Sequence, residues 1–258
     1  APKPGTMSVL ITGAAAGLAQ GIAVSLARAG YKEVAITFRP NGTSPEQTLA
    51  EIHAAGADAR AFPVEFFGAE RDVRKALEAA VSGARPVDVL VHAVGPMTVS
   101  RFAKTSADDY RDMIDGNLRS GVLAAAAVLP AMRERGFGRL VFFGMNGSHG
   151  TLPARGLSLH GAAKAGLVAF ARSLALEEAS GGITVNVIEP GDIRDKRVGR
   201  EEARRRTAAN PRGRPGSWED IADAVRFLIA PENDYVNGAV LAVNGGLIEP
   251  YERNAPPS

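Results

Sequence analysis

Short runs of apolar and β-branched residues alternate along the chain with longer stretches whose apolar positions recur at helical spacing. The runs are SVLIT, EVAITF, ARAFPV, VDVLVHA, RLVFFG, TVNVIEP and AVLAVNGG, and helical stretches lie at 17 to 29, 45 to 55, 70 to 82, 106 to 135, 158 to 179 and 218 to 229. Continuous apolar runs read as strands buried on both faces, and each parallel crossover needs a helix. The pattern predicts an α/β fold, a single domain built on a doubly wound, parallel, seven-stranded sheet of the Rossmann type. Two helix starts carry local signals. Ser44, Pro45 and Gln47 read as a cap, a first-turn proline and a capping-box partner, and Ser217 with Asp220 repeats the logic. In such a sheet ligands collect at the carboxyl ends of the strands, where strand order reverses. The search for chemistry starts there.

Composition narrows the classes of function. The 258 residues are 45% hydrophobic and 22% charged, which suits one large domain. Cysteine is absent, which excludes disulfides, thiol nucleophiles and cysteine-ligated metals. The four histidines, His53, His92, His149 and His160, show no HExxH spacing, so no metal site is expected. The longest apolar run, GVLAAAAVLPAM, is about half the ~20 residues needed to span a bilayer, and it is flanked by Arg119 and Arg133. It reads as a core helix, and no membrane partner is expected. APKPGTM lacks the apolar stretch of a signal peptide, so residues 1 to 7 read as an N-terminal extension before a domain at 8 to 258, with a cytoplasmic location.

A net charge of +2 and a pI near 9.1 come without a concentrated basic, aromatic-bearing face, which argues against nucleic acid as a partner. One local exception runs from Arg194 to Arg214, with nine basic residues against three acidic ones. It reads either as a solvated helix and loop or as a surface favouring an anionic ligand.

The first strand runs into TGAAAGLAQGIA, with Gly13 at its end and Gly17 opening the helix. Glycine lets the backbone turn tightly and approach a pyrophosphate, whose charge the start of the helix favours. At these residues the chain resembles the short-chain dehydrogenase/reductase family, whose opening pattern is Thr-Gly-x-x-x-Gly-x-Gly. Thr12, Gly13 and Gly17 match, and Ala19 stands at the last glycine. The resemblance continues through Asn117 in GNLRSG, Pro190 and Gly191 in VNVIEPGDI, and NGAVLAVNGG, covering residues 8 to 247. It implies a dinucleotide held by Gly13, Ala15, Gly17 and Leu18 on one side. On the other side it implies Gly95, Lys164, Pro190, Gly191 and Ile193. Phe38 stands where NAD-dependent relatives carry an acid, and Arg39 follows it. An arginine there would bind a 2′-phosphate, so NADP(H) is expected over NAD(H), with a plain surface charge as the other reading of Arg39.

For the reacting groups, the resemblance implies a tyrosine acid, a lysine that lowers its pKa and holds the ribose, a serine that orients the oxygen and an asparagine that relays through water. Asn117 and Lys164 match; the tyrosine position is His160, in LSLHGAAKAG. The serine position falls on Met145 without a gap, or near Ser148 if the loop is longer. The family's Asn-Asn-Ala-Gly is HAVG here, His92 to Gly95, which resembles the divergent enoyl-reductase branch without its wider Tyr-to-Lys spacing. Asp192, Ile193, Arg194 and Asp195 follow Gly191, where a hydroxyl often meets the nicotinamide amide, and an acid is a poor substitute. Tyr110 is the nearest tyrosine, but seven residues place it about two turns from Asn117, too far to replace the missing one.

His160 and Lys164 share a helix face. An imidazole titrating near 6.5 suits proton transfer, yet the ammonium beside it opposes a second positive charge. The catalytic set is therefore Asn117, His160 and Lys164, with His160 either a working acid or base or a tolerated replacement. His92 and His149 read as core and loop residues at strand ends, and His53 as a surface residue.

The expected protein is an atypical NADP(H)-dependent oxidoreductase lacking the usual Ser/Tyr pair. It would act on a small-molecule substrate, a conjugated ketone or an anionic or thioester-linked compound, under a basic lid at about 192 to 216. The competing reading is a non-redox lyase, cyclase or isomerase, or a catalytically silent binding protein. The resemblance implies a homo-oligomer, a tetramer or dimer built from the long helices ending in the 130s and 170s.

Overall fold

Seven strands line up in the order β3-β2-β1-β4-β5-β6-β7, all parallel. They are β1 (Ser8–Thr12), β2 (Glu33–Phe38), β3 (Asp58–Pro63), β4 (Val89–His92), β5 (Gly138–Phe143), β6 (Ile183–Pro190) and β7 (Val240–Val243). The helices are α1 (Gly17–Arg28), α2 (Glu46–Ala54), α3 (Glu70–Val81), α4 (Ala107–Ile114), α5 (Ser120–Arg135), α6 (Ser158–Glu178), α7 (Arg200–Arg205) and α8 (Trp218–Ile229). This computed structural model describes residues 3–83, 85–193 and 197–247.

The sheet separates two apolar layers. Ile22 of α1, Ile52 of α2 and Val225 of α8 pack on one face with Ile11 and Ile188. Ala80 of α3, Val128 of α5 and Leu167 of α6 pack on the other with Leu10, Phe142, Val185 and Val187. Alternation along β6 sends Val187 to one layer and Ile188 to the other, as the period of two requires. Among the described residues, no helix is long and apolar enough to cross a membrane.

Local signals were realised unevenly. Ser217 and Asp220 form the expected capping box, with the Asp220 N–H donating to Ser217 Oγ (3.2 Å) and the Ser217 N–H to Asp220 Oδ2 (2.9 Å). Ser44 does not cap α2 as expected: its hydroxyl receives only a long 3.4 Å bond from the Glu46 N–H. Gln47 instead donates to Glu51, one turn along its own helix (3.0 Å), so the box loses its second partner. The stretch 106 to 135, read as one helical region, divides at a π turn, Asp115–Arg119, which joins α4 to α5 and carries Asn117. Such turns insert an extra residue and commonly mark functional sites.

The crevice between β1 and β4 is spanned by His92, which pairs in register with Thr12 and is 1% exposed. The Ala93 N–H donates to Thr12 Oγ1 (3.0 Å), and the proton of that hydroxyl can be given to His92 Nδ1 (2.9 Å). The Ser120 hydroxyl donates to Gly116 O (2.8 Å), so it must accept from His92 Nε2–H (3.0 Å). These directions set the tautomer and tie β4 both to β1 and to the π turn. Burial, with a smaller effect from Lys164, pushes the His92 pKa down to about 3.

In the unfolded chain this imidazole binds a proton near 6.5, so between pH 6.5 and 3 the unfolded state holds more protons and acid destabilises the fold. We expect His92→Asn to remove this dependence. The stability advantage of the wild type over the variant should shrink by about 1.4 kcal/mol per pH unit between pH 6 and 4.5, measured by urea unfolding. A difference independent of pH would contradict the assignment.

Candidate active site

The turn after β1 is shaped to receive an anion. Gly13 and Gly17 hold φ of 68° and 66°, a left-handed backbone that side-chain-bearing residues rarely adopt. The Gly13 N–H donates to Thr37 Oγ1 (3.1 Å) and the Ala14 N–H to Thr37 O (3.0 Å), which fixes the loop to β2. The Thr48 hydroxyl secures Ala15 O (3.2 Å). No side chain caps α1, whose cap position is Ala16, so the amides of its first turn at Gly17 and Leu18 remain available to an anionic ligand. Ala19 is absorbed into the core layer that contains Ile11 and Ile22.

Arg39, just past β2, is exposed. Its Nε–H donates to Glu65 Oε2 (2.9 Å), and its guanidinium lies over the Phe67 ring, 5.1 Å from the centroid. Glu65 was not anticipated as its partner. The pair is solvent-facing and correspondingly weak.

Asn117, His160 and Lys164 come together around the segment after β4. Pro96 O accepts both from His160 Nδ1–H (3.1 Å) and from Asn117 Nδ2–H (3.0 Å), and Met113 O accepts the other Asn117 N–H (2.9 Å). Asn117 Oδ1 is buried with no hydrogen-bond partner. Lys164 Nζ donates to Phe143 O at the end of β5 (2.7 Å). Gly95 passes between them: a Cβ there would lie 2.8 Å from Asn117 Oδ1 and 2.8 Å from Lys164 Nζ. A side chain at this position would have to displace both groups.

Because a carbonyl can only accept, Pro96 fixes the proton of His160 on Nδ1 and leaves Nε2 as an acceptor. Burial first, and Lys164 second, push the His160 pKa down to about 4, against a smaller opposing effect from the Pro96 bond. The sequence reading attributed the scarcity of imidazolium to Lys164; desolvation is the larger cause.

Neither candidate for the serine position presents a free hydroxyl. The Met145 side chain packs beside Gly161. Ser148 is buried, accepts the Met145 N–H (3.1 Å) and donates to Glu189 Oε1 (2.6 Å). Glu189 also receives the Gly147 N–H (3.0 Å), the His149 N–H (2.8 Å) and His149 Nδ1–H (2.8 Å). Sequence reasoning missed this acid. The available signal was a lone carboxylate inside the otherwise uncharged run TVNVIEP.

Past β6, the Gly191 N–H donates to Val243 O (3.0 Å) and the Ile193 N–H folds back to Gly191 O (3.0 Å). Ile193 packs against Gly216, whose N–H donates to Asp192 O (2.9 Å). Arg194 and Asp195 lie outside the described residues. Within the basic stretch, Arg200 pairs with Asp220 and Asp223, Arg206 with Glu202, and Arg214 with Asp220, so part of its charge is spent internally. A cavity of about 370 Å³ beside Asp192, Arg214 and Asn244 touches none of Asn117, His160 and Lys164. Tyr110 is 55% exposed on α4, and His53, exposed on α2, accepts the Ala59 N–H (3.3 Å).

A family model described as enoyl-(acyl carrier protein) reductase matches residues 13–248. The 3-oxoacyl-[acyl-carrier-protein] reductase of Escherichia coli (strain K12) is 33% identical over 241 residues, covering 92% of this chain and 96% of its own. Two solved structures are similar throughout. An actinorhodin polyketide ketoreductase with NADPH has a TM-score of 0.82 at 30% identity, covering 94% of this chain and 97% of its own. A blue fluorescent protein from a metagenomic library, in complex with NADPH, has 0.83 at 29%, covering 95% and 99%. The match extends from the glycine turn to the end of the last strand, and the chain belongs to the short-chain dehydrogenase/reductase family.

Proposed function

We propose that the chain is an NADP(H)-dependent reductase of a conjugated ketone or acyl thioester, a divergent family member with His160 in place of the tyrosine and without the serine. The observation that carries this reading is the convergence of Asn117 and Lys164 on Gly95, beside an uncapped helix that can take a pyrophosphate. A buried acceptor left without a donor is costly, and the orphaned Asn117 Oδ1 fits a site completed by a bound group or a water. The nicotinamide, when bound, supplies hydride. Lys164 would hold the ribose, the amides at Gly17 and Leu18 the pyrophosphate, and the segment Pro190, Gly191 and Ile193 the far end of the cofactor.

Arg39 would recognise the 2′-phosphate. Its present partner, Glu65, is exchanged for a doubly charged group able to take a forked pair of bonds. The NADPH in the two similar structures supports this choice. Thioester chemistry is supported by the names of the family model and of the Escherichia coli relative. A single domain from 8 to 258 would carry the site, with the basic segment near 192 to 216 folding over an anionic substrate. A dimer or tetramer built on the long helices α5 and α6 would cover Leu176, which is 82% exposed on α6. His160, neutral and protonated on Nδ1, would line the cleft as an acceptor and orient the ligand.

Calorimetric titration with NADPH and NADH tests the reading. We expect NADPH to bind more tightly than NADH and Lys164→Ala to weaken both by about tenfold or more. Binding of neither cofactor would overturn it in favour of a non-redox protein on the same scaffold. In a separate titration, Arg39→Ala should lower NADPH affinity by about tenfold while leaving NADH unchanged. An equal loss for both cofactors would assign Arg39 to the fold instead of to the phosphate.

A further inference from the structure

Glu189 is the only ionisable residue of β6 and is fully buried. Ile183, Val185 and Val187 face the layer of α5 and α6, and Glu189 continues that face at the carboxyl end of the strand. Its carboxylate accepts four hydrogen bonds: Oε1 takes the Ser148 hydroxyl and the His149 N–H, and Oε2 takes the Gly147 N–H and His149 Nδ1–H. Three of these donors, the Ser148 hydroxyl and the Gly147 and His149 N–H groups, have a fixed direction, and an ionised carboxylate can only accept the fourth. The proton of the His149 ring is thereby set on Nδ1, and Nε2 is the free nitrogen of a side chain that is 52% exposed. The turn that presents it is strained. Thr151 is the only non-glycine with positive φ among the described residues, at 53°, and Gly147 opens the turn at 80°. Such backbone outliers persist where their surroundings over-determine them and cluster at functional sites.

We propose that His149, held by Glu189, is the proton-transfer residue of this cleft. The proposal rests on the reductase reading above and supplies what that reading lacks, a group able to give up a proton. A neutral imidazole whose Nδ1–H is engaged presents Nε2 as an acceptor, so it donates only a proton it has first taken up there, and the carboxylate against Nδ1 holds the ring with Nε2 turned outward. His160 has an ammonium nearby and no acid, and His92 commits both nitrogens to Thr12 and Ser120. His149 alone among the four histidines touches a carboxylate.

Position agrees. The turn Ser148–Gly150 packs against α6, whose first turns carry His160 and Lys164, and Met145 of the same loop rests on Gly161. The ionisable groups on the segments meeting here are Glu189 from β6, His160 and Lys164 from the first turns of α6, and Arg155 from the connection between; Arg172, Glu177 and Glu178 lie farther along α6. In the proposed step the His149 Nε2–H bond breaks as an O–H bond forms on the substrate, whose carbon takes hydride from the reduced nicotinamide. The neutral imidazole then regains its proton from water. Glu189 is the positioning residue.

The test uses the full chain labelled with ¹⁵N-histidine, first without ligand. We expect His149 to carry its proton on Nδ1 when neutral, and Glu189→Gln to reduce the share of that tautomer. A proton on Nε2 in the wild type, or a tautomer ratio unchanged in Glu189→Gln, would overturn the proposal. The wild-type tautomer decides even if Glu189→Gln fails to fold. With acetoacetyl-coenzyme A and NADPH, His149→Gln should lower kcat about 100-fold or more with little change in KM for NADPH; unchanged kcat would overturn it. Failure to bind NADPH would strike the reductase reading, whereas the spectra of the free protein judge the dyad independently.

Discussion

Strand order reverses between β1 and β4, and the crevice opened there is braced by His92. Its two nitrogens join the Thr12 hydroxyl on β1 to the Ser120 hydroxyl at the start of α5. Ser120 in turn holds Gly116 O, inside the π turn that carries Asn117. One buried ring thus sets the spacing of the strands and the placement of the asparagine. An apolar ring of similar size would fill the space but take one partner from each buried hydroxyl, leaving Thr12 only the Ala93 N–H and Ser120 only Gly116 O. With the π turn fixed, Asn117 and Pro96 meet, Gly95 threads between Asn117 and Lys164, and the cleft acquires its shape.

Three histidines at this edge of the sheet show how setting decides chemistry. His92 is sealed among partners that keep it neutral. His160 is buried against Pro96 with a lysine on the next turn, which also keeps it neutral and turns its free nitrogen into an acceptor. His149 is half in water and braced through Nδ1 by the Glu189 carboxylate, which leaves Nε2 turned outward. The three rings of one cleft edge thus differ in where their protons sit and in which nitrogen is left to meet a ligand.

The fold was legible because the central strands β1, β4, β5 and β6 are buried along their length and read as largely apolar runs, with helical stretches between them. Asn117 and Lys164 were legible from the motifs around them, and the glycine turn from its place between strand and helix. What escaped depended on contacts between distant segments. Glu51 drawing Gln47 away from Ser44, and Glu65 holding Arg39, are side-chain choices made only after folding. The π turn inserts a residue without altering the apolar pattern of 106 to 135. Glu189 and His149 lie 40 residues apart, and neither residue type has a spacing rule that would pair them. An acid in a core strand was the visible sign, and its meaning depended on knowing which loop closes over that strand.

The central claim is that this edge of the sheet holds a dinucleotide between the first glycine turn and Lys164. A crystal structure of the protein grown with NADP⁺ tests it most directly. The account predicts the pyrophosphate against the amides of Gly17 and Leu18, a ribose hydroxyl on Lys164 Nζ, and the 2′-phosphate on Arg39 in place of Glu65. A nucleotide bound elsewhere on the surface, or crystals without one under saturating NADP⁺, would contradict it.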